Sequence, residues 1–423
     1  MDIQKLLQGF SCECGKIHQC DIKYVYVEKG ASSRLTSLCQ DFHSILLVAD
    51  ENTFAAAGPQ TAAALSEKHV KQLIFPASPL LIPNEAAIAE VERNLTGIDL
   101  IIGIGSGVIQ DLCKYVSHFR HIPYFIVATA PSMDGYASTG AAMITDGMKV
   151  TYSVGLPTAI IADTDVLKNA PLEMIKAGYG DIIGKYSALN DWKLSHVVNG
   201  EYFCQRIYDL TYDMLQQTIQ LADGLLKRDA QSVQVLMEAL IVVGIAMSFA
   251  GSSRPASGSE HHLSHFFEIT GIVHGQDYFP HGIDVVYSTV VTAQLRQELL
   301  SRPFSSMLYR LSPEEYEAKM KTIYGSVAEG CIALQEKVGN YAANRLPIYH
   351  EKEQEIRSIL AEMPTPQEVL QLIGAVELNI LEFYDLYSPE KLHDAVLYAK
   401  DLKDRYTVLW MYYDLLTGDS QWK

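Results

Sequence analysis

Positive charge is scarce in this sequence: 33 Lys and Arg stand against 50 Asp and Glu, a formal net charge of −17. That balance repels nucleic acids and anionic membrane surfaces, so neither is expected as a partner. An anionic substrate would need cations gathered locally. Cysteines number seven, odd and scattered, which argues against a disulfide framework and fits a reducing cytoplasm. The opening Met1-Asp2-Ile3-Gln4-Lys5 lacks the basic-then-apolar form of a signal peptide. The longest apolar run, Ala239 to Ala250, is too short to span a bilayer and reads as a buried helix. The expectation is therefore a cytoplasmic protein without membrane insertion. What is present is ordinary for a globular chain, 48% hydrophobic and 20% charged. Its 423 residues suffice for two domains with their own cores.

The first part alternates between two periods. Asp21 to Glu28, Ser44 to Ala49, Leu73 to Phe75, Leu100 to Ile104, Tyr124 to Ala128 and Ala159 to Ala162 are short runs of strand character. Helical stretches such as Thr61 to His69 and Asn84 to Leu95 lie between them. This predicts a parallel sheet covered on both faces, with ligands at the carboxyl ends of its strands. Asp146-Gly147, flanked by Ala142 to Thr145 and Met148 to Tyr152, predicts a β-hairpin. After Asp163-Thr164-Asp165 the strand pattern stops and the rest reads as helices. Breaks and N-caps fall at Pro364-Thr365-Pro366 and Ser388-Pro389, and an amphipathic helix runs from Leu402 to Leu416. The division expected is an α/β domain over residues 1–166 and a helical domain over 167–423.

The strand ends hold small and polar residues. Gly105-Ser106-Gly107-Val108-Ile109-Gln110-Asp111 joins a strand to a helix, where backbone N–H groups can meet a phosphate. It is neither a full G-x-G-x-x-G nor a Walker A loop, and a plain tight turn reads the same way. Asp50 ends an earlier strand. It suits either a ribose diol, favouring NAD over NADP, or an N-cap. Thr129-Ala130-Pro131-Ser132-Met133-Asp134 through Ser138 suits a loop under a cofactor or an ordinary turn.

The densest chemistry lies further on. Arg254-Pro255-Ala256-Ser257-Gly258-Ser259-Glu260-His261 is followed by His265, and His281-Gly282 comes after a loop-like segment. His261 and His265, four apart, share one face of a helix. Imidazoles from a helix and a later loop can hold a divalent metal. Asp181, preceded by Gly178 and Gly180, adds a carboxylate; it could equally cap a helix, with Lys185 pairing to it one turn on. Near the start, Cys12-Glu13-Cys14-Gly15 with His18 and Cys20 reads as a turn, or as a small metal knuckle of tighter spacing than a zinc ribbon.

These residues together resemble the bacterial, AraM-type sn-glycerol-1-phosphate dehydrogenases. That family sits within the group containing metal-dependent (iron-containing) alcohol dehydrogenases, glycerol dehydrogenase and 3-dehydroquinate synthase. The most specific parts are Pro131-Ser132-Met133-Asp134-Gly135, Gly180-Asp181-Ile182-Ile183-Gly184-Lys185, Arg254 to His261 with Ser264-His265, and His281-Gly282. The resemblance implies a Rossmann-like N-terminal α/β domain, an all-α C-terminal domain and an active site in the cleft between them. It implies reversible reduction of dihydroxyacetone phosphate to sn-glycerol 1-phosphate by NAD(H), or NADP(H), feeding glycerolipid synthesis. One divalent metal per subunit, nickel or zinc, falls on Asp181, His261 and His281. Cofactor positions fall on Asp50, Gly107 to Asp111, Thr129, Ala130, Pro131, Ser132 and Ser138. Substrate positions fall on Asp134, Asp181 and His265; Lys185 and Arg254 are added as cations for the phosphate. The group commonly forms dimers, so a homodimer is implied. The turn Gly105-Ser106-Gly107-Val108 departs from the Gly-Gly-Gly-Ser usual in the wider group. Competing readings are a glycerol dehydrogenase acting on an unphosphorylated polyol, and a non-catalytic nucleotide-binding protein of the same fold.

Overall fold

The structure is a computed structural model, and it describes residues 2–145, 148–304 and 311–416. By compactness the chain divides into one unit of Met1–Ile182 with Gln216–Ser253, and a second of Ile183–Leu215 with Arg254–Lys423. This partition differs from the single boundary expected at residue 166. The chain passes from one unit to the other three times.

The first unit is built on six parallel strands: β1 (Tyr24–Glu28), β2 (Ser44–Asp50), β3 (His69–Phe75), β4 (Leu100–Gly105), β5 (Tyr124–Ala128) and, after the hairpin strands β6 (Gly140–Thr145) and β7 (Met148–Ser153), β8 (Ala159–Asp163). Their order across the sheet is β1-β8-β5-β4-β2-β3. Every residue of β4, β5 and β8 is buried. Runs without polar alternation belong where both faces of a sheet are covered. The edge strand β3 is the polar one, with His69 and Gln72 among its exposed or half-buried positions.

Helices α1 (Glu51–Ala64), α2 (Glu85–Arg93) and α3 (Gly107–Arg120) connect these strands. Helix α1 begins ten residues before the expected Thr61, and His69 opens β3 instead of closing a helix. Asp50 starts α1 through a reciprocal capping box with Thr53. Gly58 and Pro59 inside the helix obscure its sequence pattern. Asn84, the start of the expected helical stretch, is the N-cap of α2. The strands β6 and β7 pair in register from Gly140↔Ser153 to Thr145↔Met148; the turn residues Asp146 and Gly147 lie outside the described residues.

Past the sheet come α4 (Leu172–Ile183), α5 (Lys185–Asn199), α6 (Ala230–Ala250), α7 (Ser259–His274) and α8 (His281–Ser301). Helix α6 is longer than the apolar run in it suggested. Its 21 residues contain an 18-residue window of mean hydropathy 2.1, which satisfies the length and composition of a membrane span, but 78% of that window is buried inside the fold. It is a core helix of the first unit. In the second unit Thr365 and Ser388 cap helices that open on Pro366 and Pro389, as expected. The helix expected over Leu402 to Leu416 is shorter, Val408–Asp414.

Candidate functional site

Two sets of residues stand out, one in each unit. In the first unit the sheet order reverses between β2 and β4. The chain goes outward from β2 to β3, then returns to the other side of β2. Ligands of open α/β sheets bind outside the carboxyl ends of strands at such a switch point. The two adjoining strands end at Asp50 and Gly105.

Gly105 makes the turn possible, because a Cβ there would lie 2.6 Å from the Cβ of Ile109. Gln110 N donates to Ser106 O at 3.0 Å, closing the first turn of α3. The N–H groups of Gly107, Val108 and Ile109 then lack intrahelical acceptors, as at any helix start. They can donate to an anion there, where the helix dipole also favours negative charge. The side chains beyond them are not available for that purpose. Ile109 is buried, and Gln110 Nε2 donates to Gly135 O at 2.5 Å. Asp111 accepts from Ala142 N at 3.1 Å. Of the expected stretch Gly107 to Asp111, only the backbone at its start faces outward chemistry.

Asp50 uses Oδ1 to accept from Thr53 N at 2.8 Å, so the N-cap role is real. The loop after β5 is held from below. Lys114, fully buried on α3, donates to Gly135 O (3.1 Å) and Gly140 O (2.7 Å), and lies 3.5 Å from Ser138 Oγ. Burial pulls its amine below the usual lysine range, while Asp111 and Asp134 act in the other direction. Tyr136 OH donates to Ala130 O at 2.8 Å, and Thr129 N to Gly105 O at 3.1 Å. Thr129, Ala130 and Pro131 are buried; Ser132 and Ser138 are half-buried.

Asp134 and Asp181 meet in this unit: Asp134 N donates to Asp181 Oδ2 at 2.9 Å. Asp181 is fully buried in the last turn of α4, which excludes the reading in which it caps a helix start. Gly178, one turn earlier, has no room for a side chain, since a Cβ would overlap the carbonyl of Pro131. Gly244 on α6 similarly lets Asp134 O and Ala137 approach.

In the second unit α7 begins on a buried charged hub. Asp191 on α5 accepts from Ser259 N at 2.7 Å and from Val408 N at 2.8 Å, and pairs with Arg296 at 2.7 Å. The start of α7 is thereby fixed, and with it His261 and His265. His281 opens α8, where a loop was expected. The three imidazoles cluster, with centroids 5.1 Å apart for His261 and His281, 5.6 Å for His265 and His281, and 6.0 Å for His261 and His265. Glu260 Oε1 sits 2.6 Å from His261 Nδ1. With the carboxylate accepting, Nδ1 carries the hydrogen and Nε2 presents its lone pair, the orientation of a metal-binding imidazole. His261 is buried, while His265 and His281 are partly exposed.

The expected cations fare differently. Lys185, first residue of α5, is fully buried, and its charge partly offsets the burial that raises the carboxyl of Glu260. Arg254 is corrected from a substrate cation to a structural one. Its guanidinium binds both carboxylate oxygens of Glu201, Tyr406 O (2.8 Å) and Ser195 Oγ (3.1 Å), so its fork is occupied by the protein itself. Arg405 was missed. It donates to Ser257 O at 3.2 Å, and burial together with the like charge of Arg254 lowers it to about 10. Arg405, Lys403 and Arg254, after burial, also hold His262 well below the usual histidine range. Positive charge is thus gathered at the start of α7 in a chain of net charge −17. Nothing near Arg405 in sequence signals this, since the segment it serves lies 148 residues earlier.

Residues 26–171 match the sequence profile of iron-containing alcohol dehydrogenases. The chain is 30% identical over 408 residues to glycerol-1-phosphate dehydrogenase [NAD(P)+] of Halalkalibacterium halodurans, covering 94% of each chain. It is likewise 30% identical to the enzyme of that name from Geobacillus stearothermophilus, covering 96% of each. Among solved structures, the alcohol dehydrogenase from Oenococcus oeni superposes with a TM-score of 0.60 at 14% identity, over 92% of this chain and 94% of that one.

Proposed function

Because the chain belongs to the glycerol-1-phosphate dehydrogenases, in the iron-containing alcohol dehydrogenase fold family, we propose that it reduces dihydroxyacetone phosphate reversibly to sn-glycerol 1-phosphate with NAD(P)H. The observation that carries the reading is the trio of imidazoles on α7 and α8, with His261 already oriented by Glu260.

The donor set fits a divalent metal. Asp181 with His261 and His281 would hold it, and a carboxylate with two imidazoles suits nickel or zinc. When bound, the ion supplies Lewis acidity toward the C2 carbonyl of the substrate, and the nicotinamide supplies the hydride. The remaining work falls to this chain's own groups. The N–H groups at Gly107 and Val108 take the dinucleotide phosphates at the start of α3. Asp50, with Oδ1 spent on the cap, uses its other oxygen for the ribose. Thr129 to Ser132 and Ser138 form the floor under the nicotinamide half. His265, one helical turn from His261, delivers the proton to the C2 oxygen as the alkoxide forms. Asp134 accepts from a substrate hydroxyl. Lys185 holds the phosphate, with Arg405 replacing Arg254 as the second cation; a dianion offsets the burial and, after it, the like charge of Arg254 that lower Arg405. A homodimer in the cytoplasm, feeding glycerolipid synthesis, completes the proposal.

The test is NADH oxidation with dihydroxyacetone phosphate before chelation, after it, and after adding back nickel or zinc. The product is then offered to a dehydrogenase specific for the 3-phosphate enantiomer. Metal-restored activity with a resistant product is expected. Activity on glycerol but none on the phosphate would move the assignment to a glycerol dehydrogenase. His261→Ala should lose both metal and reduction; an active, metal-free variant would overturn the mechanism.

A further inference from the structure

The first twenty residues carry three thiols and an imidazole that the dehydrogenase chemistry leaves without a role. Phe10–Ser11 and Ile17–His18 pair antiparallel, with Phe10 opposite His18. Between them Cys12 N donates to Lys16 O at 3.1 Å and Gly15 N to Cys12 O at 3.0 Å, with Gly15 at φ +85°. The result is a tight knuckle. Within it the sulfurs of Cys12 and Cys14 and a ring nitrogen of His18 all lie within 4.8 Å of one another. Cys14 Sγ is 3.3 Å from His18 Nε2.

The other face of the imidazole fixes its tautomer. His18 Nδ1 is 2.9 Å from the backbone carbonyl of Phe249, 231 residues away near the end of α6. A carbonyl oxygen only accepts, so Nδ1 carries the hydrogen and Nε2 turns its lone pair toward Cys14. Metal-binding histidines are oriented by this kind of bond. The ring is fully buried and packs against Phe10 and Phe249 at 5.0 and 5.8 Å. Gly9 allows the chain to pass this close, because a Cβ there would overlap the carbonyl of His18.

We propose that Cys12, Cys14 and His18 form a second metal site that binds zinc and fastens the N-terminal arm to α6. Thiolate and imidazole donors select a borderline-soft ion such as zinc over magnesium or calcium. Binding displaces the two thiol protons to solvent, leaving a neutral three-donor complex. These three leave one tetrahedral position for a further thiolate. Cys20 is outside the cluster, despite its place in the sequence. Burial holds its thiol above the usual range, against hydrogen bonds from Ile22 and Ser248.

Cobalt substitution of the full-length protein separates this site from the catalytic one. Carboxylate and imidazole donors give no thiolate-to-cobalt charge-transfer band; Cys12 and Cys14 do. The cobalt protein should show that near-ultraviolet band, with an intensity that counts the thiolates. Cys12→Ser/Cys14→Ser should lose the band and one equivalent of zinc per chain while still reducing dihydroxyacetone phosphate. A band absent from the wild-type protein, or one that survives the double substitution, would overturn the proposal. If the double variant fails to fold, the wild-type spectrum decides alone. Failure of the glycerol-1-phosphate reading would leave this spectrum unchanged.

Discussion

Glu260 shows how much a single buried residue can determine. Burial raises its carboxyl above the usual range, against the pull of the Gly258 N–H and the Lys185 charge. Its bond to His261 Nδ1 decides which nitrogen of that imidazole is presented. Glu260→Gln should weaken metal affinity about 10–100-fold, as loss of an orienting carboxylate does. Competition with a chelator measures this, and unaltered affinity would mean that the carboxylate charge of Glu260 does not tune His261. Asp284 offers a pH experiment. Burial pushes its carboxyl well above the usual range, although Tyr387 OH donates to it at 2.9 and 3.1 Å. The folded chain therefore holds that proton more tightly than the unfolded one. The contribution to stability is full below about pH 4 and is lost as pH rises through the raised value. Asp284→Asn keeps an acceptor for Tyr387, so its gain in Tm over wild type should grow as pH is raised from about 4. A gain that shrinks on the same titration would contradict the sign. At this scale the sequence was a fair guide to which residues matter and a poor one to what they do. Arg254 looked like a substrate cation because its charge is visible and its partner is not; Glu201, 53 residues earlier, fills its fork.

At the scale of elements, legibility followed packing. Strands β4, β5 and β8 were readable because burial on both faces demands unbroken apolar runs. Helix α1 was misplaced because its start rests on the capping box of Asp50 and its middle holds Gly58-Pro59. The histidines were legible because spacing of four fixes a shared helix face, whereas the position of His281 at a helix start depends on tertiary folding. Close approach of elements was not legible at all. Gly178 reads as a neutral small residue, yet it is where α4 touches the carbonyl of Pro131. Gly178→Ala should force the loop from Pro131 to Asp134 outward, costing about 1–3 kcal/mol as overpacking does. Thermal melts and the KM for NADH report the two consequences; an unshifted Tm together with an unshifted KM would show that the loop gives way freely.

At the scale of the molecule, the two units are assembled from alternating segments, so a boundary at residue 166 cuts through one of them. A fragment of residues 1–166 lacks α6, whose buried face includes Leu236, Leu240, Val243 and Met247. It also lacks Asp181. Such a fragment should fail to melt cooperatively, as followed by near-ultraviolet circular dichroism; a sharp transition would show that the sheet is self-sufficient.

The bond between His18 and the carbonyl of Phe249 has a meaning for biosynthesis as well. A ribosome adding about 5–20 residues per second needs about 10–50 s to make the 231 residues that separate them. Once it has left the tunnel, the hairpin spends the remainder of that interval without its anchor, its thiols open to whatever the cell contains. The hairpin therefore cannot take its anchored place until Phe249 has been made and has left the tunnel.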